Sequence, residues 1–231
     1  LSWPPDNADG RLDAGWSEHI TAYSDNGVGP GYGPSGEPRL DLATASAEDV
    51  AKRLTIDTTQ AQAIVDYVSG GGSMADFIES GLSTLAAGAT TLLTGQQSTV
   101  ADLSDDQLSA LLDETYIPDD NPGPRSGKLN INTVNETTLE YLAEMSSGVA
   151  DAIITDRNAR SGGFTRLVDL LEVPSVSREL LAELYPYIDV RSEIYVATAR
   201  GRDEASGLEV QIQAVLDRST IPVVIRDLTV K

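Results

Sequence analysis

The chain contains no cysteine, one histidine (His19), three lysines (Lys52, Lys128 and Lys231) and two phenylalanines, and aromatic residues make up 5% of its 231 positions. Without cysteine there is no disulfide, no thiolate zinc site and no cysteine nucleophile. A lone histidine beside Glu18, with no Gly-x-Ser-x-Gly elbow anywhere, offers no nucleophile and base to share, so the sequence reads as non-enzymatic. The glycines of residues 27–36 lack the flanking strand, the following helix and the lysine of a nucleotide-binding loop. No window of 18 apolar residues exists, so no segment of this sequence is long enough to span a bilayer as a helix. Positive charge is scarce as well: 16 bases face 36 acids, and a formal charge of −20 repels phosphate backbones and anionic membrane surfaces.

What the chain does have is an internal repeat. Residues 39–65 recur without a gap, 89 positions later, as 128–154. Leu40 and Thr44 meet Leu129 and Thr133, and Ala61, Ala63 and Ile64 meet Ala150, Ala152 and Ile153. Asp41/Asn130, Leu42/Ile131, Val50/Leu139, Ile56/Met145 and Val65/Ile154 exchange like for like at positions that helical spacing buries. Self-similarity at a fixed offset marks a duplicated supersecondary unit. Ser46 and Asn135 are N-cap types at equivalent places, and Asp49 completes a Ser-x-x-Asp capping signature in the first copy. Each copy therefore reads as a short extended segment, a capped amphipathic helix, a tight turn and a second helix.

Around the repeat, residues 1–38 are rich in Gly, Pro, Asp and Ser, with strand character only at 19–23. Short helices are expected at 74–79, after the Ser104 cap with Gln107 three residues on, at 167–171 and at 177–184; Leu82, Leu85, Leu92 and Leu93 allow another. From Glu193 the period changes from helical to alternating. Residues 193–199, 208–216 and 221–229 are Val/Ile-rich runs divided by turns, as in a three-stranded antiparallel meander. The expected fold class is α+β, with a first part at 1–38, a helical part at 39–189 containing repeats at 39–80 and 128–189, and C-terminal strands at 190–231.

Leu129-Asn130-Ile131-Asn132-Thr133, then Ala152-Ile153-Ile154, Arg157, Gly163-Phe164 and the leucines of 167–171, resemble the helix-hairpin-helix module of DNA-uptake and repair proteins. They also resemble the helical domain of the K-type minor pseudopilins of type II secretion. The continuation from Tyr187 through Val196 and the hairpin at Asp217-Arg218-Ser219 are similar to the end of a K-type pseudopilin, so this resemblance extends over roughly residues 10–231. It implies a helical domain inserted beside a pilin-like sheet, a non-enzymatic subunit that initiates or caps a short periplasmic filament, and partners among the other minor pseudopilins and exported proteins. It also implies an N-terminal apolar helix that anchors the precursor in the inner membrane. The abrupt start on Leu-Ser-Trp-Pro-Pro matches that expectation.

In a nucleic-acid-binding helix-hairpin-helix, a Gly-x-Gly turn brings backbone N–H groups of a helix N-terminus up to phosphate. Here the matching residues are Thr55 and Asp57 in one copy and Glu144 and Ser146 in the other, and the place commonly basic carries Gln60 or Val149. Nucleic-acid binding, the alternative function, is thus disfavoured. For metals, the linker residues Asp119, Asp120 and Asn121, near Asp113 and Glu114, are the candidate calcium ligands, because hard cations take clustered carboxylate and amide oxygens on loops. The pseudopilin resemblance implies calcium too, without assigning ligands. Asn7, Asp9 and Gly10 echo an EF-hand loop but lack its first acid and terminal glutamate.

Overall fold

A computed structural model of the chain describes residues 31–87, 99–118, 127–142, 147–219 and 221–230. The first repeat opens on strand β1, Leu40–Asp41, where the Asp41 carboxylate accepts a hydrogen bond from the Ala43 N–H at 2.9 Å and turns the chain toward a helix. Helix α1, Ala47–Leu54, starts at Ser46, whose Oγ accepts from the Asp49 N–H at 3.2 Å. Helix α2, Thr58–Ser69, and helix α3, Met74–Glu79, follow. Residues 82–87 are also helical. Helix α4, Asp105–Glu114, begins with the reciprocal capping box of Ser104 and Gln107 that the sequence spells out. The chain then closes with strand β2, Thr115–Tyr116, which pairs parallel to β1 with Leu40 opposite Thr115.

The second repeat has the same plan: strand β3, Leu129–Asn130; helix α5, Glu136–Glu140, capped by Asn135; helix α6, Ser147–Ala159; a 3-10 helix at Leu167–Glu172; helix α7, Arg178–Leu184, capped by Ser177; and strand β4, Ile188–Asp189, parallel to β3. The Asx turn recurs as well, Asn130 Oδ1 accepting from the Asn132 N–H at 2.9 Å. Buried positions match across the copies: Leu42 with Ile131, Val50 with Leu139, Ala61 with Ala150 and Ile64 with Ile153 are all fully inaccessible to solvent.

The structure carries the correspondence past the stretch in which the sequence shows it. Met74–Glu79 and Leu167–Glu172 match at an offset of 93: in both, an aspartate three residues into the turn (Asp76, Asp169) accepts from the N–H of the residue before it (Ser73 at 2.7 Å, Arg166 at 2.9 Å). From Ser104 and Ser177 the offset becomes 73, so Leu108 and Leu111 fall on Leu181 and Leu184, all buried, and β2 falls on β4. The first repeat, which the sequence reading ended at residue 80, thus runs in the closed fold to Tyr116. It is longer than the second by the residues between α3 and α4.

The two repeats share one core, and they pack reciprocally. Helix α3 of the first lies against α7 of the second, and the 3-10 helix of the second lies against α4 of the first. Exchanging the repeats exchanges these contacts, which is the self-complementary arrangement of a two-fold interface within one chain. Arg178 crosses the boundary to the Ile78 carbonyl at 3.2 Å and Arg166 pairs with Asp106, exposed ties that add little beside the apolar core.

Strands β5 (Ile194–Arg202), β6 (Glu209–Asp217) and β7 (Val224–Val230) form an antiparallel sheet in that order, the meander expected from the alternating runs. An irregularity at Val215/Leu216 places one extra residue on β7, as a bulge does. The extra residue, Arg226, reaches the buried Asp217 carboxylate, with Nε at 2.7 Å.

Candidate functional site: hairpin turns and an uncovered sheet face

The turn between α1 and α2 is filled by the chain's own side chains. Thr55 ends α1 in the left-handed conformation, φ 55°, a geometry glycine adopts without cost and a β-branched residue adopts with strain. Two residues on, Asp57 Oδ1 accepts from the N–H groups of Thr59 and Gln60, both at 2.8 Å, while the Gln60 side chain accepts from the Asp57 N–H at 3.4 Å. The N–H groups that would receive an external anion are occupied by the chain's own carboxylate, whose charge repels a second anion. The equivalent turn of the second repeat, with Glu144 and Ser146, lies outside the described residues. Nearby, the Arg157 guanidinium donates to the carbonyls of Ile131 (3.0 Å) and Val134 (2.7 Å), pinning the β3–α5 turn onto α6.

The second repeat is locked by a clamp that explains its Asn132 and Gly163-Phe164. Asn132 Oδ1 accepts from the Phe164 N–H at 2.8 Å, and its Nδ2 donates to the carbonyls of Phe164 (2.9 Å) and Val190 (3.0 Å). A Cβ on Gly163, which has φ +76°, would stand 2.2 Å from Asn132 Oδ1, so only glycine fits there. The position equivalent to Asn132 in the first repeat is Ala43, and that copy has no such clamp.

The proposed calcium ligands Asp119, Asp120 and Asn121 lie outside the described residues, as do Asn7, Asp9, Gly10 and His19. The two acids read as their neighbours are engaged elsewhere. Glu114 accepts from the Ser35 N–H (2.8 Å) and hydroxyl (2.7 Å) and pairs with Arg53, while Asp113 accepts from the Ser109 hydroxyl at 3.3 Å. Among the described residues no group of three or more His, Cys, Asp or Glu side chains could hold a metal ion.

The sheet shows what alternation alone left unstated. Paired residues share a face, so the register puts Tyr195, Ala197, Ala199 and Gly201 of β5 beside Leu216, Ala214, Ile212 and Val210 of β6, and these beside Ile225, Leu228 and Val230 of β7. No charged or amide side chain interrupts this face. Its outer part is open: Ile225, Leu228 and Val230 are 59%, 58% and 62% exposed and Ile212 is 42% exposed. The opposite face is mixed: it carries Thr198, Arg200, Arg202, Glu209, Gln211, Gln213, Asp227 and Thr229 together with Ile194, Val196, Val215 and Val224. Burial opposes ionisation of Asp217 at the base of that face, but hydrogen bonds from Ser219 and Arg226 prevail and hold its carboxyl below the usual range. Neighbouring exposed apolar side chains of this kind are uncommon on a fully solvated surface. No helix of the described residues is long and apolar enough to cross a membrane.

Compared with known proteins, no curated protein and no solved structure matches the chain. Residues 125–189 match the family model of the helix-hairpin-helix motif, a segment that ends on the last residue of β4 and so contains the whole second repeat.

Proposed function

We propose that this chain is the periplasmic part of a structural, non-enzymatic subunit of a type II secretion pseudopilus, a K-type minor pseudopilin. On this reading it is held to the inner membrane by an N-terminal helix and helps initiate or cap the filament. The observation that carries the proposal is the uncovered apolar face of the β5–β7 sheet, which has the composition of an interface core rather than of a solvated surface. The order of elements supports it: paired helix-hairpin-helix-like repeats precede an antiparallel sheet, as in the proteins this sequence resembles. The helical repeats supply bulk beside that sheet, and the partners are the other minor pseudopilins, with exported proteins as a second set.

The test is co-purification of the full-length protein with the minor pseudopilins encoded in the same genome. Ile212→Glu and Leu228→Glu, on the apolar face, should abolish it while leaving the melting temperature within a few degrees of the parent. Co-purification that survives both substitutions would defeat the proposal. The second reading, a nucleic-acid-binding hairpin, is favoured by the motif match and opposed by the filled turn at Asp57 and the charge of −20. Micromolar, salt-sensitive binding of duplex DNA in an anisotropy titration would restore it.

A further inference from the structure

Apart from the sheet face, the described residues enclose a cleft of about 590 Å³ that is lined from the approaches to β1 and β3 (Arg39, Lys128), the β4–β5 connection (Arg191, Glu193) and the β6–β7 turn (Arg218). Its charge runs against the rest of the protein. Four bases, Arg39, Lys128, Arg191 and Arg218, stand with three acids, Asp113, Asp189 and Glu193, in a chain whose acids outnumber its bases 36 to 16. Arg53, Arg160, Arg166, Arg178 and Arg226 each hold a carboxylate within 4.0 Å, whereas among the described residues Arg39, Arg191 and Arg218 hold none.

The acids of the cleft feel the charges of Arg39 and Arg191, but none stands within 4.0 Å of those guanidiniums. Asp189 Oδ1 accepts from the N–H groups of Val190 (2.7 Å) and Arg191 (3.3 Å), Asp113 takes the Ser109 hydroxyl, and Glu193 Oε2 is buried without a partner. Arg39 Nε is likewise buried without a partner, an unusual state for a charged donor. Arg39 and Lys128 are equivalent residues of the two repeats, brought into one cleft by the fold. Burial, reinforced by the Arg39 charge, pulls the Lys128 ammonium down to about 8. Burial also raises the Asp113 and Glu193 carboxyls above the usual range, which weakens them as counterions.

We infer that this cleft is a binding site for an oxyanion, a carboxylate or phosphate group seated on Arg39 with Arg191 and Arg218 at its rim. A guanidinium presents a planar fork of donors that matches such groups two oxygens at a time. Exposed Ile221 and Val223 at the edge leave room for an apolar portion of the ligand. The cleft meets the sheet face at Tyr195, but Ile212 and Leu228, which test the docking proposal, do not line it, so the two proposals are tested independently.

The experiment is calorimetric titration of the 231-residue chain with sodium succinate and with inorganic phosphate, at an ionic strength held constant with chloride. At least one anion should bind saturably with Kd below about 1 mM, and the tighter of the two identifies the source of the group. Arg39→Gln should weaken that binding at least tenfold, and Arg200→Gln, on the opposite sheet face, should leave it unchanged. Should Arg39→Gln fail to fold by circular dichroism, Arg191→Gln, a solvent-exposed position, carries the same expectation. Failure of both anions to saturate, or parental affinity in the folded arginine variants, would overturn the inference.

Discussion

The two repeats build the same closed unit from different local devices. Both begin with an Asx turn and a capped helix, bury the same four positions and end in a parallel strand pair. The first repeat fixes its hairpin with a carboxylate that fills the helix N-terminus, and it spends extra residues between α3 and α4. The second dispenses with those residues, tightens the third helix into a 3-10 turn and holds the chain at Phe164 and Val190 with Asn132, against which Gly163 packs. What the copies keep is burial and capping; what they vary is the loop chemistry, where function is ordinarily written. Neither copy keeps glycine at the turn residues that would admit phosphate.

If burial is the shared property, equivalent deletions should cost alike. Ile64→Ala and Ile153→Ala, both at fully buried positions, should each lower stability by roughly 2–4 kcal/mol in urea titrations, with the two values within about 1 kcal/mol. A larger disparity would show that the two equivalent positions are not equally well packed.

The largest electrostatic effect is expected at Lys128, the second repeat's counterpart of Arg39. In the unfolded chain Lys128 has its ordinary value of 10.5, and in the fold about 8. Between those values the unfolded state holds the proton and the native state has released it, so stability should rise with pH across roughly 8 to 10.5, the full penalty applying below 8. Lys128→Met should flatten that rise and stabilise the protein at pH 7 by on the order of 1–3 kcal/mol. Arg39→Met removes the charge that reinforces the shift and should shrink the rise without abolishing it, since burial is the larger cause. Thermal melts over this pH range decide both.

Smaller effects are expected at the first hairpin. Asp57→Ala removes a cap and should cost about 1 kcal/mol, whereas Thr55→Gly relieves the left-handed residue and should stabilise by about 0.5–1 kcal/mol. If Thr55→Gly instead lowered the melting temperature, the strain assigned to that turn would be wrong. The smallest expected effect is calcium, proposed on the linker between β2 and β3. The melting temperature should climb a few degrees in millimolar calcium, more than in magnesium, and Asp119→Asn with Asp120→Asn should remove the increment. A calcium response that the double variant retains would move the ion away from the linker.

Much of this fold was legible because caps and alternation are local signals. Ser46, Ser104, Asn135 and Ser177 head helices in the structure, and the Val/Ile-rich runs after Glu193 form the antiparallel sheet. The parallel pairs β1–β2 and β3–β4 were not legible, since two-residue strands have no period and their partners lie about 60 to 75 residues away. The further reach of the repeat was hidden by changes of offset, although the shared Asp-(Leu/Phe)-(Leu/Ile)-Glu ending of α3 and the 3-10 helix could have signalled it. The apolar sheet face could have been read from Ile212, Leu228 and Val230 only with the register in hand, because residues that share a face across three strands are far apart in sequence. The arginine cleft depends on tertiary placement altogether.

The central claim, that the apolar face of the β5–β7 sheet is the docking surface of an assembly subunit, is tested most directly by site-specific photocrosslinking of the full-length protein in its own cells. A photoreactive residue at Ile212, on the apolar face, should give adducts with other minor pseudopilins, and one at the adjacent Gln213, on the opposite face, should not. Equal crosslinking from the two positions, or no pseudopilin adduct from Ile212, would contradict it.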